Sequence, residues 1–137
     1  MDLVLKNSKY KIILGSGSPR RKMYFDLLNI PYKVLISDAD ELYPDGLKES
    51  EISDFLAKLK SERLKSKLKK NEILITADTI VWCNNKHIKK PKDNSEAFKI
   101  LNELSGKFHS VITSVSICNL KNEIIFNEKS YVKFKNL

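Results

Sequence analysis

The residues best suited to chemistry follow a short apolar run, residues 12–14, in a turn rich in glycine and serine. The turn reads Gly15-Ser16-Gly17-Ser18-Pro19-Arg20-Arg21. Ser18 suits a helix N-cap, and Pro19 suits the first helical position, where its missing N–H costs nothing. A helix N-terminus has unpaired N–H groups and a positive dipole end, and the serine hydroxyls and arginines add donors. The pattern favours a phosphate site; the alternative is a well-capped helix with exposed arginines.

This turn differs from two common phosphate-binding motifs. Arg20 stands where a dinucleotide fingerprint would have its third glycine, and no Gly-Lys-Ser/Thr follows at Walker spacing. The chain has 25 lysines and arginines, and only Arg20, Arg21 and Arg63 are arginines. An arginine offers a planar fork that binds two oxygens at once, which lysine lacks. The adjacent pair therefore singles out this turn.

Carboxylates form the second group of candidates. Asp78 follows the apolar residues 73–77, where a bare carboxylate is costly, so it suggests a metal ligand or a general base at a strand end. The alternative is an aspartate in a bulge, satisfied by backbone N–H groups. Glu41, with Asp38 and Asp40, follows another strand, and such clusters hold Mg²⁺ through oxygen ligands. The alternative there is a solvated acidic loop.

The elements that must position these groups alternate along the chain. Apolar runs predict strands at 12–14, 32–36, 73–83, 108–118 and 124–134, with a hairpin turn at 84–86. Helical spacing predicts helices from Ser18 to about 28, from 50 to 70, and from the Asp93 cap to Gly106. In the first helix, Met23, Tyr24, Leu27 and Leu28 share one face. This order predicts an α/β fold with a mixed sheet.

Length and composition predict one domain, residues 1–137, in the cytoplasm. No apolar run approaches the roughly 20 residues of a membrane span, and Cys83 and Cys118 lack metal-ligand spacing. The net charge of +8 suggests a polyanionic partner or a general compositional bias toward lysine. Because the lysines are dispersed without interleaved aromatic residues, we expect no stable nucleic-acid complex. The residues alone indicate Mg²⁺-dependent handling of a phosphate compound.

Six motifs in order resemble the Maf family of nucleoside triphosphate pyrophosphatases, also called septum-formation proteins. They are residues 14–21, Asp40-Glu41, Ala77-Asp78-Thr79-Ile80-Val81, Lys90-Pro91-Lys92-Asp93, Leu104-Ser105-Gly106 and His109-Ser110-Val111-Ile112-Thr113. The resemblance implies a Maf/ITPase-like fold, with an elongated mixed central sheet, flanking helices and a cleft between two lobes. It implies hydrolysis of dTTP and UTP, or modified nucleotides, to the monophosphate and pyrophosphate. Mg²⁺, or Mn²⁺ in its place, and a homodimer are also implied.

The same resemblance assigns roles to individual residues. Asp78 matches the proton acceptor, and it would share a metal ion with Glu41. Arg63 is the nearest counterpart of a family lysine in the helix after the acidic loop. Arg20 and Thr79 match positions that set nucleotide preference toward dTTP and UTP. The phosphate-gripping positions are Ser16, Ser18, Arg20, Arg21 and Lys90.

Family members usually continue well past the residue that corresponds to Leu137. That further segment carries a glutamine-containing loop that completes the base pocket. We therefore expect the second lobe to be incomplete here and the domain to be short at its C-terminus. The alternative to an active pyrophosphatase is a catalytically weak or inactive nucleotide-binding fragment of the same family.

Overall fold

The computed structural model describes residues 9–137, so residues 1–8 of the predicted domain lie outside the described part. Three helices and six strands follow one another in the order β-α-β-α-β-β-α-β-β. The helices are α1 (Pro19–Leu27), α2 (Ser50–Lys65) and α3 (Asn94–Leu104). The strands are β1 (Lys11–Leu14), β2 (Tyr32–Val34), β3 (Glu72–Cys83), β4 (Lys86–Ile88), β5 (Phe108–Cys118) and β6 (Glu123–Lys133). None of these helices combines the length and apolar character needed to cross a bilayer.

The strands form one mixed sheet in the order β2-β1-β3-β5-β6, with β4 also paired to β3. β1 is parallel to β2 and β3, whereas β3 is antiparallel to β4 and β5, and β5 is antiparallel to β6. The strands β1, β2 and β3, which are separated by helices, form the parallel part, and the antiparallel part contains the β3–β4 and β5–β6 hairpins and the β3–β5 pair. The predicted α/β class and mixed sheet are confirmed.

The core lies between α2 and one face of the sheet, in two apolar clusters. The first contains Ile13, Leu64, Leu68, Leu74 and Cys118, and the second contains Ile52, Leu56, Ile80 and Ile112. Leu64 near the end of α2 lies against Leu74 early in β3, and Ile52 near its start lies against Ile80. The helix is therefore antiparallel to β3, so each α2 residue has a definite neighbour along that strand.

The predicted caps are confirmed, but the predicted apolar faces are not all buried. Ser18 is the N-cap of α1 with Pro19 in its first turn, and the Asp93 side chain accepts from the Glu96 N–H at 2.8 Å. None of the α1 residues is buried, and the side chain of Leu27 is 71% exposed. The spacing correctly placed these apolar side chains on a helix, but no described element covers them.

One predicted helix end and one predicted residue position are wrong. α2 ends at Lys65 rather than near residue 70, because the chain tightens into i→i−3 turns there, with Lys67 N–H bonded to the Leu64 carbonyl. Asp78 was expected at a strand end, yet it lies in the middle of β3. The strand continues because β5 pairs with it from Leu74 to Trp82 without a break.

Candidate active site

The candidate site lies at an opening on one side of β3. On that side β3 pairs with β1 as far as Leu14↔Ile75 and with β4 from Val81↔Ile88 onward. Among the described residues, no strand adjoins residues 76–80 there. The Ala77 carbonyl in this opening instead accepts hydrogen bonds from Arg21 Nη1 at 2.9 Å and Lys60 Nζ at 3.3 Å. Side chains from α1 and α2 thus converge where backbone pairing stops.

Residues 15–21, the phosphate loop, are held by hydrogen bonds within the loop. The Ser18 hydroxyl accepts from the Arg21 N–H at 3.4 Å, which is a long N-cap bond. The Ser16 hydroxyl accepts from the Ser18 N–H at 3.1 Å and from Arg21 Nη1 at 3.3 Å. Gly15 is required by a close approach, because a Cβ there would lie 2.6 Å from Thr76 Cγ2. The loop is therefore set against β3 before any ligand binds.

The two arginines of the loop occupy different environments. Arg21 Nη1 bonds to Ser16 and the Ala77 carbonyl, and its Nη2 donates to the Thr79 hydroxyl at 3.3 Å. Burial lowers the pKa of Arg21, and the carboxylates of Asp78 and Glu41 oppose that shift. Arg20 is exposed, and its side chain makes no hydrogen bond or ion pair with residues 9–137. Arg21 is thus partly engaged with the fold, whereas the whole fork of Arg20 faces outward for an anion.

A lysine on α2 joins the two candidate carboxylates. Lys60 Nζ lies 2.9 Å from Asp78 Oδ1 and 3.2 Å from Glu41 Oε1. The side chain of Asp78 is only 8% exposed, whereas that of Glu41 is 57% exposed. Burial raises the pKa of Asp78, and its hydrogen bond and attraction to Lys60 pull the pKa back down. A buried carboxylate with a raised pKa beside a cation is well suited to accept a proton.

The side chain of Asp78 leaves β3 on one face, whereas Arg21 contacts β3 at its edge and on the opposite face. Successive side chains of a strand alternate between faces, so Asp78 points toward α2 and Thr79 points to the opposite face. Arg21 spans the edge of β3 and contacts the Ala77 carbonyl and Thr79, with no direct hydrogen bond to Asp78. Since Lys60 and Arg21 share the Ala77 carbonyl, the acid and the guanidinium flank one backbone group. A phosphate held at this edge would lie within reach of both.

Asp78 and Glu41 offer oxygen ligands of the kind that a divalent metal ion prefers. In the described residues, no cluster of three or more His, Cys, Asp or Glu side chains could enclose an ion. Mg²⁺ in nucleotide sites is usually held by one or two carboxylates together with substrate phosphates and water. Asp78 and Glu41, which converge on Lys60, fit that partial set. They would supply the protein side of a magnesium–nucleotide complex rather than a closed protein cage.

Comparison with known proteins places this fold and site in a family. A model of the Maf-like protein family matches residues 11–137. The chain is 44% identical to the dTTP/UTP pyrophosphatase of Flavobacterium johnsoniae, covering 96% of this chain and 68% of that protein. It is 47% identical to the dTTP/UTP pyrophosphatase of Christiangramia forsetii, covering 98% of this chain and 67% of that protein. The chain belongs to the Maf family. It spans about two thirds of the length of these relatives.

The fold of this Maf-family chain is also found in solved structures of Ham1 proteins. The Staphylococcus aureus Ham1 structure superimposes with a TM-score of 0.56 at 17% identity, covering 90% of this chain and 71% of that one. A HAM1 structure from Coxiella burnetii gives a TM-score of 0.56 at 14% identity, covering 90% and 72%. At such low identity the likeness shows the fold alone.

The structure places Lys60 at the carboxylates, three residues before Arg63, which was named as the nearest counterpart of the family lysine. Arg63 is exposed, and its side chain has no hydrogen bond or ion pair in the described part of this Maf-family chain. Three residues of helix advance about 4.5 Å, and because α2 is antiparallel to β3 this step leads away from Asp78. A sequence signal for Lys60 existed. It lies four residues after Leu56 and four before Leu64, so a lysine occupies the buried stripe of an amphipathic helix.

Other predicted residues lie outside the hydrogen-bonded cluster. Lys90 is exposed after β4, and the structure gives it no hydrogen bond or ion pair with residues 9–137. Asp38 and Asp40 are exposed and their side chains are likewise without such partners in that part of the chain. Of the acidic segment, Glu41 alone reaches the described cluster.

Sequence reasoning also missed a partner of Thr79. The Thr79 and Thr113 hydroxyls are 2.9 Å apart, on directly paired positions of β3 and β5. Paired positions of neighbouring strands place their side chains on the same face. Thr113 was visible in the last family motif, but its pairing with Thr79 depends on strand register. Arg21, Thr79 and Thr113 therefore form a polar row across the face opposite α2.

Proposed function

We propose that this chain hydrolyses nucleoside triphosphates between the α- and β-phosphates, with dTTP and UTP as the preferred substrates. The products would be the nucleoside monophosphate and pyrophosphate. Family membership and the names of the relatives support this class of reaction. The observation that carries the proposal is the buried Asp78 carboxylate, 2.9 Å from Lys60 and beside the opening that the phosphate loop borders. The proposed proton acceptor lies on β3, and the proposed phosphate-binding loop contacts the same strand through Arg21.

Asp78 would take a proton from the water that attacks the α-phosphorus. Burial raises the pKa of Asp78 and so makes its carboxylate a stronger base than an exposed aspartate, while the hydrogen bond and charge of Lys60 favour the ionised form that accepts the proton. Lys60 would keep the Asp78 carboxylate oriented through their hydrogen bond. As the water attacks in line, the bond to the β-phosphate oxygen breaks and negative charge collects on the departing pyrophosphate.

The phosphate loop would hold the triphosphate and stabilise that charge. Arg20 would bind phosphate oxygens with its free fork, and Arg21 would add the donors that Ser16, Ala77 and Thr79 leave unused. The hydroxyl of Ser16 and the N-terminus of α1, capped by Ser18, would add donors on the same side. Lys90, on the segment after β4, would add a further positive charge to the phosphates of a bound nucleotide.

Mg²⁺, with Mn²⁺ as a substitute, would be held by Glu41 and Asp78 together with phosphate oxygens. Such an ion supplies charge neutralisation on the triphosphate. Arg20 in the phosphate loop and Thr79 on the face of β3 opposite α2 would set nucleotide preference, as the family resemblance implies. Action in the cytoplasm and assembly as a homodimer also remain proposals.

The proposal is tested by incubating purified chain with Mg²⁺ and a panel of nucleotides and measuring pyrophosphate release. The panel contains dTTP, UTP, the other standard triphosphates and a modified pyrimidine triphosphate. We expect release to be fastest with dTTP and UTP, and Asp78→Asn to lower kcat by at least about 10²-fold, the scale of a lost general base. Release at the Asp78→Asn level with every nucleotide would overturn the proposal. Nucleotide binding by calorimetry without turnover would instead favour a binding fragment.

A further inference from the structure

A side-chain hydrogen bond outside the site described above ties the acidic loop to the β3–β4 hairpin. The acidic loop, residues 35–49, joins β2 to α2 and carries Glu41. The Tyr43 hydroxyl lies 2.8 Å from His87 Nδ1, and the two rings are tilted with centroids 5.7 Å apart. Both residues are half-buried. None of the roles assigned above uses this pair.

Few polar contacts join the middle of the acidic loop to the rest of the protein. For residues 37–48, the described hydrogen bonds and ion pairs to other elements are Glu41 with Lys60 and Tyr43 with His87, apart from the two bonds between Lys48 and Glu51 at the start of α2. The Glu41 pair is weak as an anchor, because its carboxylate is 57% exposed and solvent screens it. Tyr43 and Leu47 also pack against the Ile52 cluster. Tyr43 is therefore the principal anchor near Glu41.

The partner of this anchor is placed by the strand that carries Asp78. His87 pairs directly with Trp82 of β3, four residues after Asp78. The hydrogen bond to Tyr43 thus fixes the loop relative to β3, and Glu41 lies only two residues before Tyr43. The hydrogen bond can form in either protonation state of His87, because neutral histidine accepts from the Tyr43 hydroxyl and protonated histidine donates to it.

We propose that Tyr43 and His87 are positioning residues that hold Glu41 at the correct distance from Asp78. This inference rests on the proposed function, since Glu41 matters only if the site binds a magnesium–nucleotide complex. Loss of the bond leaves Asp78 and Lys60 in place but lets the Glu41 segment move. The expected consequence is weaker use of Mg²⁺ and nucleotide rather than a loss of the chemical step.

The test compares Tyr43→Phe, His87→Ala and the double variant with the unaltered chain. Each single change should raise the KM for dTTP and the Mg²⁺ concentration for half-maximal rate by about three- to tenfold, with kcat changed less than twofold, the scale of one net hydrogen bond. The double variant should match the single variants, because both remove the same bond. His87→Asn, whose side-chain oxygen can accept from Tyr43, should restore most of the lost affinity. Tyr24→Phe, on exposed α1, is the matched control and should change neither parameter.

Amide hydrogen exchange of the nucleotide-free chain separates this inference from the proposed function. The amide hydrogens of residues 38–47 should exchange faster in Tyr43→Phe and His87→Ala, while the exchange rates of the β3 amides stay unchanged. If no nucleotide is hydrolysed, faster exchange there supports the positioning role while the proposed function fails. Unchanged exchange overturns the inference, as does faster exchange with unaltered KM and Mg²⁺ dependence in an active chain. Equal kinetic effects of Tyr24→Phe would also overturn it.

Discussion

The phosphate loop and the acidic loop bring residues to the same opening in different ways. The internal bonds of the phosphate loop join near neighbours, such as Ser16 and Ser18 with Arg21. The acidic loop depends on side chains far along the chain, with His87 44 residues from Tyr43. Local bonds cost little chain entropy to form, whereas distant ones form only once the sheet is assembled. The internal shape of the phosphate loop thus depends on local bonds, whereas the position of the acidic loop depends on the assembled fold.

Lys60 joins the acidic loop to β3 at the Ala77 carbonyl that Arg21 also contacts, and replacing it should have the largest effect. Lys60→Met leaves Asp78 buried without its cation and releases Glu41, so kcat/KM for dTTP should fall at least about 10²-fold, the scale of breaking a buried ion pair. The carboxylate is the active form, so the rate rises with pH through the pKa of Asp78. Lys60 lowers that pKa, so its removal should move the acid limb of the pH–rate profile to higher pH.

The matched control for this change is Lys58→Met, an exposed lysine on the same helix. Its kcat/KM and acid limb should stay as in the unaltered chain. An acid limb that stays in place or moves to lower pH in Lys60→Met would contradict the assigned role of Lys60.

Within the phosphate loop, the two glycines should respond differently to a methyl group. Gly15→Ala should lower the free energy of unfolding by about 1–3 kcal/mol, because its Cβ would crowd Thr76 in a packed core. At Gly17 the nearest atom to an added Cβ is Ile36 Cδ1 at 3.4 Å, an ordinary contact, so Gly17→Ala should change stability by less than about 0.5 kcal/mol. Urea unfolding of both variants checks this. Equal losses would mean that the close approach at Gly15 does not hold the loop.

The adjacent arginines test how much of the phosphate loop is structural. Arg21→Lys loses the fork that spans Ser16, the Ala77 carbonyl and Thr79, so both the melting temperature and kcat/KM should fall, the latter about tenfold. Arg20→Lys should raise the KM for nucleotide while leaving the melting temperature unchanged, because Arg20 has no such partners in residues 9–137. Steady-state kinetics and thermal unfolding distinguish the two. A melting temperature lowered equally in both would contradict the difference in their roles.

Arg63 should give the smallest effect. Arg63→Gln removes an exposed charge one helical turn from Lys60, and kcat/KM should remain within about twofold of the unaltered chain. A loss as large as that of Lys60→Met would restore Arg63 to the site and would require α2 to turn relative to β3.

Features that depend only on residues close together in the sequence were predictable, because the interactions that form them are local. The Ser18 cap, Pro19 in the first turn and the Asp93 cap depend on neighbours within three residues, and each is confirmed. The alternation of β5 and β6 and the apolar spacing of α2 likewise predicted their elements. Asp78 was identified from its sequence position alone, because an acid within a buried apolar run needs a partner.

Other features could not be predicted because they depend on register and on what covers each face. Lys60 was not singled out, since sequence spacing does not show which turn of α2 faces Asp78, and Arg63 was named as the counterpart of the family lysine. Thr113 and the Tyr43–His87 bond follow from the pairing of β3 with β5 and β4. The apolar side chains of α1 were predicted to share one helix face, but their spacing does not show what covers that face, and Met23 and Leu27 are exposed in the described structure.

The amino-acid sequence alone determined the kind of chemistry, because caps, glycines and an isolated acid act through their own types and nearest neighbours. The tertiary structure decided which cation meets that acid and which contacts hold Glu41. Those choices depend on the antiparallel packing of α2 on β3 and on the opening between β1 and β4. Both arise only when segments distant in the chain pack together.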